Sequence, residues 1–438
     1  MKKILLLSSA ALLALSAQAQ DAVRFVTTVD SLNIYNIMVE NAPQNPNIKD
    51  VSRFTLVGKD SKFYLGMGAN VKMVGDFDWG APLGNPNLFV TADLEETAKG
   101  NRSQTLFSIG QSNLYWNFVA LPGSKNQVGL FFDINFLGTS SKPEIAIHHA
   151  YLKYRGFTAG YIVSTFTDIK ADPIAIDFAG PNAITFIRHP NIYYTYKFGK
   201  DKMWTAQLGL DMPLAEKGDY TESMEEAAAQ GKKFSRPLTV GAGTSYVHQR
   251  MPDIPLFIQR AWAGNRGWFR FSAIFRDLQY RNDILQKNRG ELGWGIKVSG
   301  STPIVGGLSG TWQAVYGKGV ASYIQDLTNE GLDLVPVKNE PGKLQTVKTW
   351  GAYGTLQYNF GKCAVWNFTY SQVRAYAPDF GSEWSGMYKY AQYLTSNLIF
   401  NVSSFAQVGL EYLWGQRVNY SGSKVHDNRL MLMLNVSI

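Results

Sequence analysis

The chain has 438 residues, of which 45% are hydrophobic and only 17% charged, with 23 Tyr, 25 Phe, 11 Trp and 41 Gly. Charge is sparse against the ~25% usual in soluble domains. A mean hydropathy of −0.15, with no apolar run of ~20 residues beyond the N-terminus, excludes a helical membrane protein. The formal charge of +8 is spread along the chain, with no Lys/Arg cluster of the kind nucleic acid requires, so no nucleic-acid partner is expected.

Residues 1–19 read as a signal peptide. Lys2 and Lys3 form the charged region, Ile4 to Leu15 the apolar core, and Ala17-Gln18-Ala19 a small-x-small cleavage site. The mature chain is expected to start at Gln20, and no Cys follows the cut to carry a lipid. Residues 20–60 do not alternate cleanly and contain Pro43 and Pro46. They are read as an N-terminal periplasmic extension or as a plug segment.

From residue 61 to 438 the pattern changes. Segments of about ten residues alternate between apolar and polar or small side chains, the signature of strands with one greasy and one wet face. In Gln127–Phe136, Val128, Leu130, Phe132, Ile134 and Phe136 share one face, with Phe131 the exception. At the end of the chain Leu430, Leu432, Leu434, Val436 and Ile438 do the same. Ten residues at ~3.3 Å each, tilted by ~40°, rise ~25 Å, the height of the apolar band of a membrane barrel. The predicted fold is all-β, a transmembrane antiparallel β-barrel of about 16 strands: 62–74, 103–119, 127–137, 145–155, 156–164, 190–198, 203–212, 237–248, 267–276, 291–300, 307–317, 346–360, 363–373, 388–401, 404–416 and 428–438.

Short connections (Gly199–Lys202, Ser301–Gly306, Gly361-Lys362, Val402-Ser403) alternate with long ones (75–102, 165–189, 213–236, 277–290, 317–345, 374–387, 417–427). Short periplasmic turns and long outer loops are expected of bacterial barrels. One connection, Arg250–Arg266 with Pro252 and Pro255, is too long for a turn, which leaves fourteen or eighteen strands as alternatives. A short helix is expected within Thr221–Lys233. Tyr154, Tyr193, Tyr194, Trp204, Trp268, Trp350, Tyr388 and Trp414 at strand ends suit aromatic girdles. The single Cys363 is read as an inert, buried apolar residue.

Residues 161–194 carry a family likeness. The run Tyr161-Ile162-Val163-Ser164-Thr165-Phe166-Thr167-Asp168, then Asp177-Phe178-Ala179-Gly180-Pro181-Asn182, then Arg188-His189-Pro190-Asn191-Ile192-Tyr193-Tyr194 resembles the third-loop region of DcaP-like trimeric outer-membrane porins. The resemblance implies a sixteen-stranded homotrimer in the outer-membrane lipid that takes up small, often dicarboxylic, anions. Two departures stand out: residues 20–60 lack a heptad coiled coil, and the chain ends in Ile438 rather than Phe.

Strand parity assigns the lumen. Lys72, Lys153, Arg155, Lys197, Arg270, Arg276 and Lys297 face inward, against fewer inward acids: Asp133, Asp211, Glu291 and Glu411. A charge on the lipid face would cost ~2–4 kcal/mol at the midplane. Loop 165–189 is the predicted constriction, with Gly180-Pro181 to fold it back, the acids Asp168, Asp172 and Asp177, and Arg188 at its exit. The basic wall is assigned to Arg155, Arg188, Arg270 and Arg276. Such a lumen favours anions, and guanidinium groups match carboxylates bidentately. The function read from this is passive diffusion of small hydrophilic solutes, leaning to anions, with no cofactor and no metal. On a regular strand His148 and His149 point to opposite faces and cannot share an ion. A barrel enzyme using His149 or His189, and a plugged structural barrel, are the alternatives.

Overall fold

The computed structural model describes residues 23–28, 31–46, 52–96, 100–139, 142–213, 243–264, 266–337, 340–376 and 386–438. The expected signal peptide, the helix expected within 221–233 and residues 237–242 of an expected strand lie outside the described residues. The described sheet closes on itself as a 16-strand antiparallel barrel. Its wall is made of β1 (Phe63–Trp79), β2 (Ser103–Ser108 and Asn113–Ala120, one strand split in two), β3 (Val128–Asn135), β4 (Ala146–Tyr154), β5 (Phe157–Val163), β6 (Arg188–Phe198), β7 (Trp204–Asp211) and β8 (Ile254–Trp262). It continues through β9 (Gly267–Asn282), β10 (Lys287–Val305), β11 (Leu308–Lys318), β12 (Lys348–Phe360), β13 (Ala364–Tyr376), β14 (Tyr388–Asn401), β15 (Ala406–Asn419) and β16 (Lys424–Ser437). The seam is the β1–β16 pair, with Phe77 opposite Leu430 and Val71 opposite Val436.

Alternation produces the lipid face. Leu432 is 60% exposed and Leu434 59%, while their neighbours Met431 and Met433 are buried inside. On β9 Phe269, Phe271 and Phe275 face out, and Arg270 and Arg276 face in. Phe131, the residue that breaks the apolar alternation of β3, turns inward and stacks on Tyr115 and Tyr151. No helix among the described residues is long and apolar enough to cross a membrane; the strands form the apolar band.

Four local expectations are corrected. The eighth strand is Ile254–Trp262, not 237–248; among the described residues of the expected segment Thr244–Tyr246 is a strand, added to the outer end of β9. Pro255 reads as a turn signal, yet it sits in the ladder opposite Ile274. That shift removes the overlong connection, for Trp262 pairs directly with Gly267. Second, the long connections expected at 277–290 and 417–427 are mostly strand: β9 and β10 pair as far as Asn282 and Lys287, and β15 and β16 as far as Val418 and Lys424. Those strand ends carry polar residues on both faces, which erased the alternation used to find strands. Third, Tyr193, Trp268 and Tyr388 are not girdle residues. Trp268 Nε1 donates to Asp168, Tyr388 is buried with its hydroxyl on Asp326, and Tyr193 lines an inner cavity. Fourth, Cys363 is exposed, in the turn after β12.

The two strands of the N-terminal segment add to the barrel sheet. Val23–Thr27 pairs with Phe54–Gly58, which continues onto β1 through Thr55 opposite Gly66. Helix α1 (Leu32–Asn41) lies against inward-facing residues near the short-turn end. Asn41 Nδ2 donates to Asn117 Oδ1 at 2.6 Å, and Asn117 Nδ2 donates to the Met38 carbonyl at 2.8 Å. Gly129 on β3 makes room for this contact: a Cβ there would fall 1.9 Å from Asn41 Oδ1.

Candidate functional site: the lumen and its inner loop

Residues 164–187 join β5 to β6 by crossing the inside of the barrel, and each stretch of the loop is tied to an inward-facing wall residue. Asp168 Oδ2 accepts Ser299 Oγ at 2.6 Å, and its Oδ1 lies 3.2 Å from Arg270 Nη1. The Tyr353 hydroxyl donates to the Ala171 carbonyl at 2.8 Å. The N–H groups of Ile176 and Asp177 donate to Glu411 at 2.9 and 2.7 Å. Ser371 Oγ donates to Asn182 Oδ1 at 2.6 Å. An apolar cluster backs these bonds, joining Phe166, Ala183 and Ile184 of the loop to Ile274, Val315, Tyr353 and Val373 of the wall and to Tyr323, Ile324 and Leu327 of the connection 319–347.

Burial and neighbouring charge set the loop acids apart. Burial pushes Asp168 up, but Arg270 and Lys297 outweigh it and hold the carboxyl below its ordinary value. Asp172, buried and beside Asp168, is raised well above the carboxylate range. Asp177 is pushed up to about 7 by burial and by Glu411, against the N–H groups of Phe89 and Ala179 that bond its Oδ1.

The expected basic wall divides into two groups. Arg276 is sealed: it pairs with Asp253 at 2.9 Å and Asp333 at 2.8 Å and is 2% exposed. Lys297, 1% exposed, donates to the Phe166 carbonyl and, at 2.9 Å, to Thr185 Oγ1. These two hold loops in place and are not open to solutes. Arg188 stacks its guanidinium 5.0 Å from the Phe186 ring at the loop exit.

Lys153, Arg155, Lys197 and Arg270, by contrast, converge on one cavity of about 840 Å³ at the short-turn end, together with Lys170 from the inner loop. Thr158, Thr195, Thr205, Gln207 and Gln259 add polar groups, and Glu40 of α1 is the one acid among the lining residues. Lys197 Nζ lies 3.0 Å from Glu40 Oε1, and Lys153 Nζ donates to the Glu40 carbonyl at 2.8 Å. Burial raises Glu40, but Lys197 and Lys153 more than offset this and keep it ionised. Lys170 is shifted down by burial and by the Arg270 charge. Sequence reasoning missed Lys170 and Glu40. Lys170 was findable as the one Lys between Thr165 and Ile187; Glu40 had no local signal.

Parity fails on β4. A bulge between Asp133 and Ile134 inserts an extra residue on β4. Ile147 therefore faces out, 55% exposed, whereas the regular alternation put it in the lumen. His148 and His149, expected on opposite faces, both turn inward and meet the same carboxylate, Asp133, at 2.8 and 2.9 Å.

No protein-family model matches the chain, and no curated protein matches it. Solved structures do. The outer membrane channel DcaP of Acinetobacter baumannii superposes with a TM-score of 0.69 at 18% identity, over 87% of this chain and 99% of that one. The outer-membrane expressed OmpT of Vibrio cholerae gives 0.51 at 9% identity, over 87% and 100% of the two chains. An anion-selective porin from Comamonas acidovorans gives 0.51 at 9%, over 86% and 100%. The chain therefore has the fold of an outer-membrane porin, here a closed sixteen-stranded barrel whose lumen holds an inward-folded loop between β5 and β6.

Proposed function

We propose that the protein is a diffusion channel of the outer membrane for small hydrophilic solutes, with a preference for anions such as dicarboxylates. The observation that carries the preference is the cavity at the short-turn end, where Lys153, Arg155, Lys170, Lys197 and Arg270 stand against the single acid Glu40. Like-signed groups around a narrow aqueous path lower the barrier for the opposite charge and raise it for their own. Loop 164–187 is the constriction in this reading. Its anchors and apolar backing fill the side of the lumen next to β9–β15, so solutes pass along the side of β4–β8. Helix α1 narrows the mouth from the opposite side and presents Glu40 to the basic wall. Trimeric assembly is proposed from the likeness of residues 161–194 to trimeric porins.

Catalysis fits the geometry less well. Ser164 Oγ and His189 Nε2 both reach the same oxygen of Asp211, at 2.5 and 3.1 Å. The carboxylate stands between hydroxyl and imidazole, whereas a nucleophile relay needs the imidazole between the other two. Reversal potentials in planar bilayers under a salt gradient test the proposal. An anion-selective conductance is expected; cation selectivity overturns the basic-lumen reading, and the absence of any conductance favours a plugged barrel.

A further inference from the structure

The bulge on β4 places two imidazoles on one carboxylate, an arrangement that a solute path does not require. β3 and β4 pair through Asp133 opposite His149 and then Ile134 opposite Ile147, so His148 is the inserted residue. Bulges re-aim side chains in this way. His148 Nδ1 lies 2.8 Å from Asp133 Oδ2, and His149 Nδ1 lies 2.9 Å from Oδ1. The two ring centroids are 4.4 Å apart. All three residues are at most 2% exposed. One ligand atom from each lies within 4.8 Å of the others. None of the three lines the basic cavity.

We propose that Asp133, His148 and His149 form a binding site for one divalent transition-metal ion of the zinc class, with water completing the coordination. Zinc binds imidazole nitrogen and carboxylate oxygen at about 2.0–2.2 Å, which sets tetrahedral ligands about 3.3 Å apart. The contacts of 2.8 and 2.9 Å are made to the two different oxygens of Asp133, so an ion entering between the rings meets the carboxylate edge, and side-chain rotation completes the widening to ligand spacing. Each imidazole coordinates through Nδ1 and stays neutral, its proton passing to Nε2, so no co-reactant is needed. Two nitrogens and one oxygen select zinc, nickel or copper over calcium and magnesium, which take six or more oxygens. The Arg188 charge acts on both rings and opposes any cation here, so the affinity has to come from the two imidazole nitrogens and the carboxylate. A metal here staples β3 to β4 beside the inner loop, whose Phe178 ring lies 5.9 Å from His148.

The test uses the tag-free full chain in detergent, titrated calorimetrically with zinc and, separately, with cobalt while its visible spectrum is recorded. One zinc per chain is expected, with tetrahedral cobalt bands. Asp133→Asn and His149→Ala are expected to weaken binding at least about tenfold, whereas His426→Ala leaves it unchanged. Magnesium is expected not to compete. The proposal is overturned if the wild-type chain gives no visible cobalt bands, or if Asp133→Asn binds zinc like the wild type. Should His149→Ala fail to fold, the wild-type cobalt spectrum and Asp133→Asn still decide the question.

Discussion

Glu40 of α1 and Lys197 of β6 meet at 3.0 Å across the basic cavity, so the one acid that lines this cavity comes from the N-terminal segment and not from the barrel wall. Both side chains are at least half exposed, and such a pair contributes under ~1 kcal/mol. Its consequence is electrostatic rather than structural. Glu40→Gln is expected to leave the melting temperature within a few degrees and to raise the anion-to-cation permeability ratio in bilayers; a lowered ratio would sink the assignment of this cavity to the solute path.

The complementary change is Lys170→Gln together with Lys153→Gln. Removing two of the cations that line the cavity is expected to lower anion selectivity by a factor of a few, measured as reversal potential at fixed salt gradient. Screening acts over ~10 Å at 0.1 M salt, so the difference is expected to shrink as salt is raised to ~1 M. A salt-independent difference would point to altered pore size instead.

Asp177 gives the inner loop a pH dependence. Its folded value of about 7 lies above that of an unfolded aspartate, so the folded chain holds a proton that the unfolded chain releases. Stability from this group is therefore full below about pH 4 and is lost as pH rises through 7. Asp177→Asn keeps an acceptor for the Phe89 and Ala179 N–H groups and does not titrate. Between pH 5 and 8 the melting temperature of the variant is expected to fall less steeply than that of the wild type. Parallel curves would rule out Asp177 as the cause.

Arg276→Met would leave Asp253 and Asp333 buried without their cation. Breaking one side of a buried pair costs about 3–5 kcal/mol. Chemical denaturation is expected to show a loss of this size. A triple change that also makes Asp253→Asn and Asp333→Asn is expected to recover most of it, and failure to recover would mean that packing, not charge, dominates there.

Gly129→Ala drives a methyl group into Asn41 Oδ1. Overpacking of this kind costs about 1–3 kcal/mol. Asn41→Ala in the same chain removes the clash, so a double-mutant cycle is expected to show coupling of the two sites. Additive effects would mean that α1 does not sit on β3 in the membrane.

The barrel was legible because lipid imposes one rule on every second residue. Leu430 to Ile438 obeys it without exception, and fifteen of the sixteen predicted segments coincide with wall strands. The rule loses its grip where lipid ends. Polar tips such as Gln279–Asn282 lie above the apolar band, so strand there reads as loop. It also fails where one residue is inserted: nothing in Ile147-His148-His149 announces a bulge, and the bulge reverses the face of Ile147 while joining the two histidines. For the site, parity found Lys153, Lys197 and Arg270, because wall charges must point inward. Parity is silent on which inward charges are neutralised. The partners of Arg276 arrive from Asp253, at the foot of β8, and Asp333, in the connection 319–347, and no local pattern links them.

The seam between β1 and β16 orders the birth of the molecule. Residues 70–79 pair only with residues 428–437 on this edge, so the edge of β1 stays open until the last wall strand is in place. Contacts this distant in sequence form slowly, and an open edge recruits strands from other chains meanwhile. Anything that shields the edge of β1 until then guards against this, and a truncation removing β16 is expected to yield an adhesive, unfinished sheet rather than a smaller pore.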